Sequence, residues 1–194
     1  MGNPSLIIAM TGASGIIYAL RLLERSSLLK SKYREIHVIY TSNAVKVALH
    51  EENLDLPGFL SKATGVDAVY RDDDLTSRLA SSSNLVSTDM VIVPASMNTV
   101  AKIANGIQDN LVTRVADSIL RLRNRLIVVF RETPLSAIDL FNLYRLALSG
   151  AIVVPASPGF YIRPGSVEDL VDFIVGKVLD VLGVEHNLYK RWAT

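Results

Sequence analysis

Short unbroken apolar runs recur along this chain and alternate with segments whose apolar positions repeat at helical spacing. Residues 5–10, 35–41, 66–71, 90–93, 126–130 and 151–154 read as strands. Residues 16–29, 43–49, 99–104, 110–124, 136–148 and 167–182 read as helices. Several of the strand runs are rich in Val and Ile without alternation, the pattern of strands covered on both faces. The run at 66–71, VDAVYR, is shorter and more mixed than the others. The order of elements predicts an α/β fold: a Rossmann-like three-layer sandwich with a mostly parallel sheet, right-handed crossovers and helices on both faces. No internal repeat, low-complexity tract or linker interrupts it. The polar segment 71–88, with its DDD and SSSN clusters, reads as a surface excursion before the strand that begins at Met90.

Composition narrows this picture. At 194 residues the chain reads as one domain, 1–194, ending in a docking tail from about residue 183. A chain of this size buries roughly 70% of its unfolded surface and needs no covalent staple. There is no cysteine, so disulfides, thiolate nucleophiles and cysteine metal sites are all excluded. Twenty basic residues stand against nineteen acidic ones, which gives no bulk field for nucleic acid or membrane. The three histidines, His37, His50 and His186, form no ligand motif, and no metal is expected. No apolar run reaches the roughly 18 residues that span a bilayer. The first apolar run lacks a basic leader and reads as a strand, which points to a cytoplasmic protein. The chain is 49% hydrophobic with a mean hydropathy of +0.31, greasy enough to suggest subunit interfaces.

In parallel α/β sheets ligands sit at the carboxyl ends of strands, so the residues after each strand carry the chemistry. After the first strand comes Thr11-Gly12-Ala13-Ser14-Gly15, where glycines permit close backbone approach and Ser14 offers a hydroxyl near the helix start. The dinucleotide fingerprint G-x-G-x-x-G is absent, because Ser14 and Ile17 occupy its second and third glycine positions. The second strand ends in Thr41-Ser42-Asn43, without the acid that would hold a ribose. The stretch 93–117 is the most informative. Its strand gives way at Pro94 to Ala95-Ser96-Met97-Asn98-Thr99 at a helix N-terminus, where unpaired N–H groups suit a phosphate or a polar ring edge. A second helix follows and carries Arg114 and, about two turns on, Arg121. Arg131 and Glu132 stand at the edge of the fifth strand before Pro134, and a stiff Pro- and Gly-containing loop holds Tyr161 after the sixth. Lys177 lies on the last helix, and the only tryptophan, Trp192, lies in the tail.

Assembled, these motifs resemble the flavin prenyltransferases of the UbiX family. The matching stretches are TGASG, PASMNTVAKIANGIQDNLVTRVAD, RETPLS, PASPGFY and SVEDLVDFIVGKVLD, and they run nearly end to end. The resemblance implies a homododecameric enzyme that joins a dimethylallyl group from dimethylallyl phosphate to N5 and C6 of reduced FMN. The prenylated FMN then serves a UbiD-type decarboxylase. Carried residue by residue, it assigns FMN to Gly12, Ala13, Ser14, Ser42, Ser96, Met97, Asn98, Thr99 and Arg114. It assigns the prenyl phosphate to Arg121, Arg131, Tyr161 and Lys177, with Trp192 at the edge and Glu52 nearby. Catalytic roles fall on Ser14, Glu132 and Tyr161, and the proton lost on ring closure could pass to Glu132, Ser14 or the departing phosphate. Arg121 stands where the family often has lysine, Lys177 where it often has arginine, and Ala95 where it often has cysteine. Two other readings share parts of this pattern: an FMN-dependent cysteine decarboxylase, and a flavin-binding carrier without chemistry of its own.

Overall fold

The computed structural model describes residues 3–193. Six strands form one sheet: β1 (Ser5–Met10), β2 (Glu35–Tyr40), β3 (Ala68–Arg71), β4 (Thr88–Ala95), β5 (Leu126–Phe130) and β6 (Ile152–Pro155). Their order is β3-β2-β1-β4-β5-β6 and every pairing is parallel. The chain winds outward from β1 to β3, returns to β4 beside β1, and winds outward again. The reversal leaves a crevice at the carboxyl ends of β1 and β4, where ligands of doubly wound sheets bind.

Successive side chains of a strand point to opposite faces, and both faces here are apolar. Leu6, Ile8, Val91, Val93, Ile127 and Val129 pack under α1 (Ile16–Glu24), α2 (Ser26–Lys30), α3 (Ser42–Glu52), α4 (Leu56–Leu60) and α8 (Val167–Leu182). Ile7, Ala9, Met90, Ile92, Leu126 and Val128 pack under α5 (Met97–Ala104), α6 (Leu111–Arg121) and α7 (Ala137–Leu148). Each such fully buried aliphatic side chain stabilises the fold by about 1.5–3 kcal/mol. Helix starts are fixed by side-chain caps: Asn110, Ser136 and Ser166 each form a capping box with the residue three places on. Gly183, left-handed at φ 70°, ends α8.

Four sequence expectations change in detail. The helix expected over 16–29 breaks at Arg25, whose φ −93° and ψ 18° leave the helical region and separate α1 from α2. The segment after α3 forms the unforeseen α4. The polar segment 71–88 is not only a surface excursion, because two 3-10 turns, Arg78–Ala80 and Ser82–Leu85, bury Leu79 and Leu85 against the α6 side of the sheet. The fourth strand does not stop at Pro94. It continues to Ala95 through a register shift between Ile92 and Ala95, which accommodates a residue with no N–H to donate. No helix among the described residues is long and apolar enough to cross a membrane.

His37 lies buried in β2 with its Nε2 3.2 Å from Glu35 Oε2, its ring edge-on to Tyr70, and its Nδ1 without a partner. Burial depresses its pKa below the ordinary 6.5, with Glu35 partly opposing. The unfolded chain therefore takes up a proton at a pH where the folded chain does not. The contribution is complete above 6.5 and is lost as pH falls from there toward the folded value. Urea unfolding at about pH 7.5 and about pH 5.5 should show the wild type losing stability on acidification, and His37→Phe losing measurably less.

Candidate functional site

Thr11 organises the crevice. It is buried, and its N–H and hydroxyl both donate to the Pro94 carbonyl, at 3.2 and 2.8 Å. The same hydroxyl oxygen accepts the Ser96 N–H at 2.8 Å. The turn after β1 and the turn after β4 are thereby fixed to one another. Ser96 caps α5, accepting the Thr99 N–H at 3.3 Å and lying 3.1 Å from the Thr99 hydroxyl. The N–H groups of Met97 and Asn98, in the first turn, have no intrahelical acceptor and are available to a ligand.

Gly12 brings in the third turn. A Cβ placed there would lie 2.5 Å from Asn43 Cβ, so only glycine lets the β1 turn press against the start of α3. Asn43, the residue after Ser42, is thus brought against Gly12. Ser14 is half-buried and does not cap α1: Gly15 occupies the cap position at φ 97°, with no side-chain bond. The Gly15 N–H instead donates to Glu51 Oε2 at 2.9 Å. Glu52, the acid expected near the site, turns away from that contact and lines a separate cleft of about 270 Å³ with Ile17, Leu20 and Glu168.

At the exit of β5, Arg131 is half-buried and its Nε has no hydrogen-bond partner. Glu132 Oε1 accepts the Thr133 N–H at 3.0 Å. Both residues line a cavity of about 430 Å³ together with Leu135 and Ser157. Tyr18, half-buried with its ring against Gly15, feels the Arg131 charge: burial raises its pKa and Arg131 partly offsets the rise.

A second group assembles where the tail folds back on α8. Tyr161 makes edge contacts with Phe173 and Trp192, with centroids 5.7 and 5.2 Å apart, and Phe173 stacks near Tyr189 at 5.0 Å. Lys177 Nζ lies 4.8 Å from the Tyr189 ring centre and 5.2 Å from that of Phe173. A hydrogen bond with Tyr189 holds its pKa above the usual lysine value. Asp180 anchors the tail, accepting from the Tyr189 hydroxyl, from Arg191 at 2.7 Å, and lying 3.0 Å from His186 Nε2. Burial alone would raise the Asp180 pKa, but these bonds hold it below the usual carboxylate range.

Within one chain Arg114 and Arg121 stand apart from these groups. Arg114 Nε donates to the Ala80 carbonyl at 2.8 Å. Arg121 pairs with Asp117 at 2.9 Å and donates to the Ser118 hydroxyl at 3.0 Å. α6 begins at the carboxyl edge of the sheet, where the Leu111 N–H meets the Asp72 carbonyl, and runs down to the start of β5. Arg121, at the end of α6, is therefore toward the edge where β5 starts, whereas Arg131 follows the end of β5. The sequence reading missed Glu51, Tyr18 and the role of Thr11. It also missed Asp72, a half-buried acid whose pKa is raised by burial and by Asp73 against the opposing Ser42 N–H. No local sequence signal marked them, because the contacts that bring them in, Gly12 with Asn43 and Gly15 with Tyr18 and Glu51, appear only in three dimensions. Among the described residues no three His, Asp or Glu side chains gather as metal ligands would.

A model of the flavoprotein family matches residues 1–179. Flavin prenyltransferase UbiX of Saccharolobus solfataricus is 43% identical over 188 residues, covering 96% of this chain and 91% of that protein. The flavin prenyltransferase UbiX of Methanocaldococcus jannaschii is 43% identical, with 97% and 98% covered. A crystal structure of AnUbiX in complex with FMN and dimethylallyl pyrophosphate superposes with a TM-score of 0.90 at 33% identity, covering 100% and 99% of the two chains. A dodecameric FMN-dependent UbiX-like decarboxylase from Escherichia coli O157:H7 gives 0.89 at 34% identity, covering 98% and 100%. The peptidyl-cysteine decarboxylase EpiD gives 0.59 at 21% identity, a likeness of fold alone.

The docked tail depends on Gly176, where a Cβ would lie 2.6 Å from two Tyr189 ring carbons and 2.8 Å from His186 Cε1. Gly176→Ala should leave α8 intact, since alanine favours a helix over glycine by about 1 kcal/mol. It should displace Tyr189, so that trypsin cuts after Lys190 and Arg191 several-fold faster than in the wild type, with an unchanged circular dichroism spectrum.

Proposed function

The chain belongs to the flavoprotein family and, within it, to the flavin prenyltransferases, and we propose that it joins a dimethylallyl group from dimethylallyl phosphate to N5 and C6 of reduced FMN. One observation supports the reading beyond kinship: Arg131 lines a cavity together with Glu132, and its buried Nε has no hydrogen-bond partner within the chain. A desolvated cation without an anion is costly, and a bound phosphate removes that cost.

The residues at the crevice fit a flavin mononucleotide. Gly12 leaves backbone close to Asn43 where a side chain would intrude, and the α5 N-terminus with Ser96 and Thr99 offers donors to phosphate or ring edge. Gly12, Ala13, Ser14, Ser42, Ser96, Met97, Asn98, Thr99 and Arg114 are the proposed FMN residues. Reduced FMN supplies the nucleophile that the chain itself lacks. The chain's own part is to hold and polarise the donor. Arg131, Lys177 and the Tyr161 hydroxyl stabilise the negative charge that develops on the leaving phosphate. The faces of Tyr161 and Trp192 stabilise positive charge on the allyl fragment and exclude water. Ring closure at C6 releases a proton. It passes in this reading to Ser14, to the departing phosphate, or to Glu132, one of whose carboxylate oxygens accepts the Thr133 N–H.

In this reading Arg121, which stands apart from the site within one chain, belongs to the phosphate site of a neighbouring subunit, and the working form is a homododecamer in the cytoplasm. The prenylated FMN passes to a UbiD-type decarboxylase. Glu52 lies at the margin, and Glu51 positions the Gly15 turn.

The test is anaerobic. The protein is mixed with reduced FMN and dimethylallyl monophosphate, and the released flavin is weighed by mass spectrometry. A gain of one prenyl unit is expected, with Arg131→Met raising KM for the donor by roughly tenfold or more. Unmodified flavin with both the monophosphate and the diphosphate would overturn the reading. Glu51 makes a separate prediction. Glu51→Ala should weaken FMN binding several-fold by freeing the Gly15 turn, and Glu51→Gln, which keeps an acceptor, should restore most of it. Equal FMN affinities in fluorescence titrations of the three proteins would remove that role.

A further inference from the structure

Lys177 has an acid on its own helix face. Asp180 lies three residues on along α8, a spacing at which a lysine and a carboxylate ordinarily pair. The ion pairs of Asp180 run instead to His186 and Arg191 in the tail. Its two oxygens are divided among tail donors. Oδ1 accepts from Arg191 Nη2 at 2.7 Å and lies 3.0 Å from His186 Nε2. His186 Nδ1 accepts the Leu188 N–H at 3.2 Å, which places the neutral ring's proton on Nε2, facing Asp180. Oδ2 accepts from the Tyr189 hydroxyl.

That hydroxyl also hydrogen-bonds Lys177, whose ammonium lies 4.8 Å from the centre of the same ring. A tyrosine hydroxyl has one proton to give and lone pairs that accept, so it can serve both neighbours at once. It stands between the ammonium and the carboxylate. The ring alone would seat the cation, and a phenylalanine would do that equally well. The hydroxyl does something further: it covers the one carboxylate oxygen that Arg191 and His186 leave open. We propose that Tyr189 is a positioning residue whose hydroxyl masks Asp180 from Lys177 and so keeps the lysine charge available to the phosphate of the donor. This rests on the proposed prenyl transfer, in which Lys177 meets that phosphate, and adds the group that keeps it free to do so.

The test is a double-mutant cycle on the full chain, with reduced FMN, varied dimethylallyl monophosphate and prenylated flavin counted by mass, which gives kcat/KM for the donor. Lys177→Met sets the full loss. Tyr189→Phe keeps the ring but uncovers Oδ2, and should lower kcat/KM by roughly fivefold while leaving FMN affinity unchanged. Adding Asp180→Asn leaves a carbonyl oxygen for Arg191 and His186 and removes the competing charge, so most of the loss should be recovered. Asp180→Asn beside an intact Tyr189 should change kcat/KM by less than about twofold. A hydroxyl that merely anchored the tail predicts the reverse, because the double variant lacks it too and would stay as impaired as Tyr189→Phe. That result, or an equal effect of Asp180→Asn with and without the hydroxyl, would overturn the masking role. So would an unaltered kcat/KM in Tyr189→Phe beside an impaired Lys177→Met. If Lys177→Met were also unaltered, the role of Lys177 itself would fall, and the mask with it. A wild-type protein that prenylates no flavin with either the monophosphate or the diphosphate would overturn the proposed function, on which the mask depends.

Discussion

The hydroxyl of Thr11 is the contact on which the carboxyl edge of the sheet depends. A proline in β4 has no N–H for the ladder, and the strand shifts register there, so the crevice between β1 and β4 could not be set by regular pairing alone. Thr11 closes the gap by donating to the Pro94 carbonyl and accepting from the Ser96 N–H. Each bond contributes only about 1 kcal/mol net, the one to the Pro94 carbonyl buried and the one from the Ser96 N–H part-buried. With these turns joined, the α5 N-terminus, the Gly12–Asn43 contact and the Gly15–Glu51 bond all take fixed places around one opening.

The same economy of partners separates structural cations from those left for a ligand. Arg21 is enclosed by Asp172 and Glu24, and Lys30 by Asp67, which ties helices and strands together and leaves little charge for anything else. Lys177 has an acid one turn away, but Asp180 is already engaged by Tyr189, His186 and Arg191. Its ammonium rests on aromatic faces, which support a cation without neutralising it. Arg131 is left with an orphaned Nε. A pocket that must receive a phosphate and then release it benefits from cations held by rings and backbone rather than by carboxylates.

Legibility followed the physics of each feature. The bounds of β1, β5 and α8 were readable to the residue, because continuous Val and Ile runs and a Ser cap with a Gly stop are local signals. The break at Arg25 and the 3-10 turns around Leu79 and Leu85 were not, since they arise from packing against distant elements. At the site, strand ends were legible from topology alone, which placed Gly12, Ser96 and Arg131 together before any coordinates. Whether Glu51 or Glu52 meets the β1 turn was not legible: adjacent residues on a helix differ by about 100° in direction, and resemblance cannot resolve a rotation. The excess of apolar residues, at 49% of the chain, was readable as a hint of interfaces but not as a place. The structure places the largest part of that exposed surface on α7.

Chain direction then links assembly to chemistry. In a parallel sheet every helix that follows a strand begins at the carboxyl edge and ends at the other, so a side chain in its last turn is carried away from the site its first turn helps to form. α6 illustrates this, with Asn110 and Leu111 near the crevice and Arg121 at the far edge. No rotamer of arginine spans a strand's length, so under the proposed function that cation serves a phosphate in a neighbouring copy.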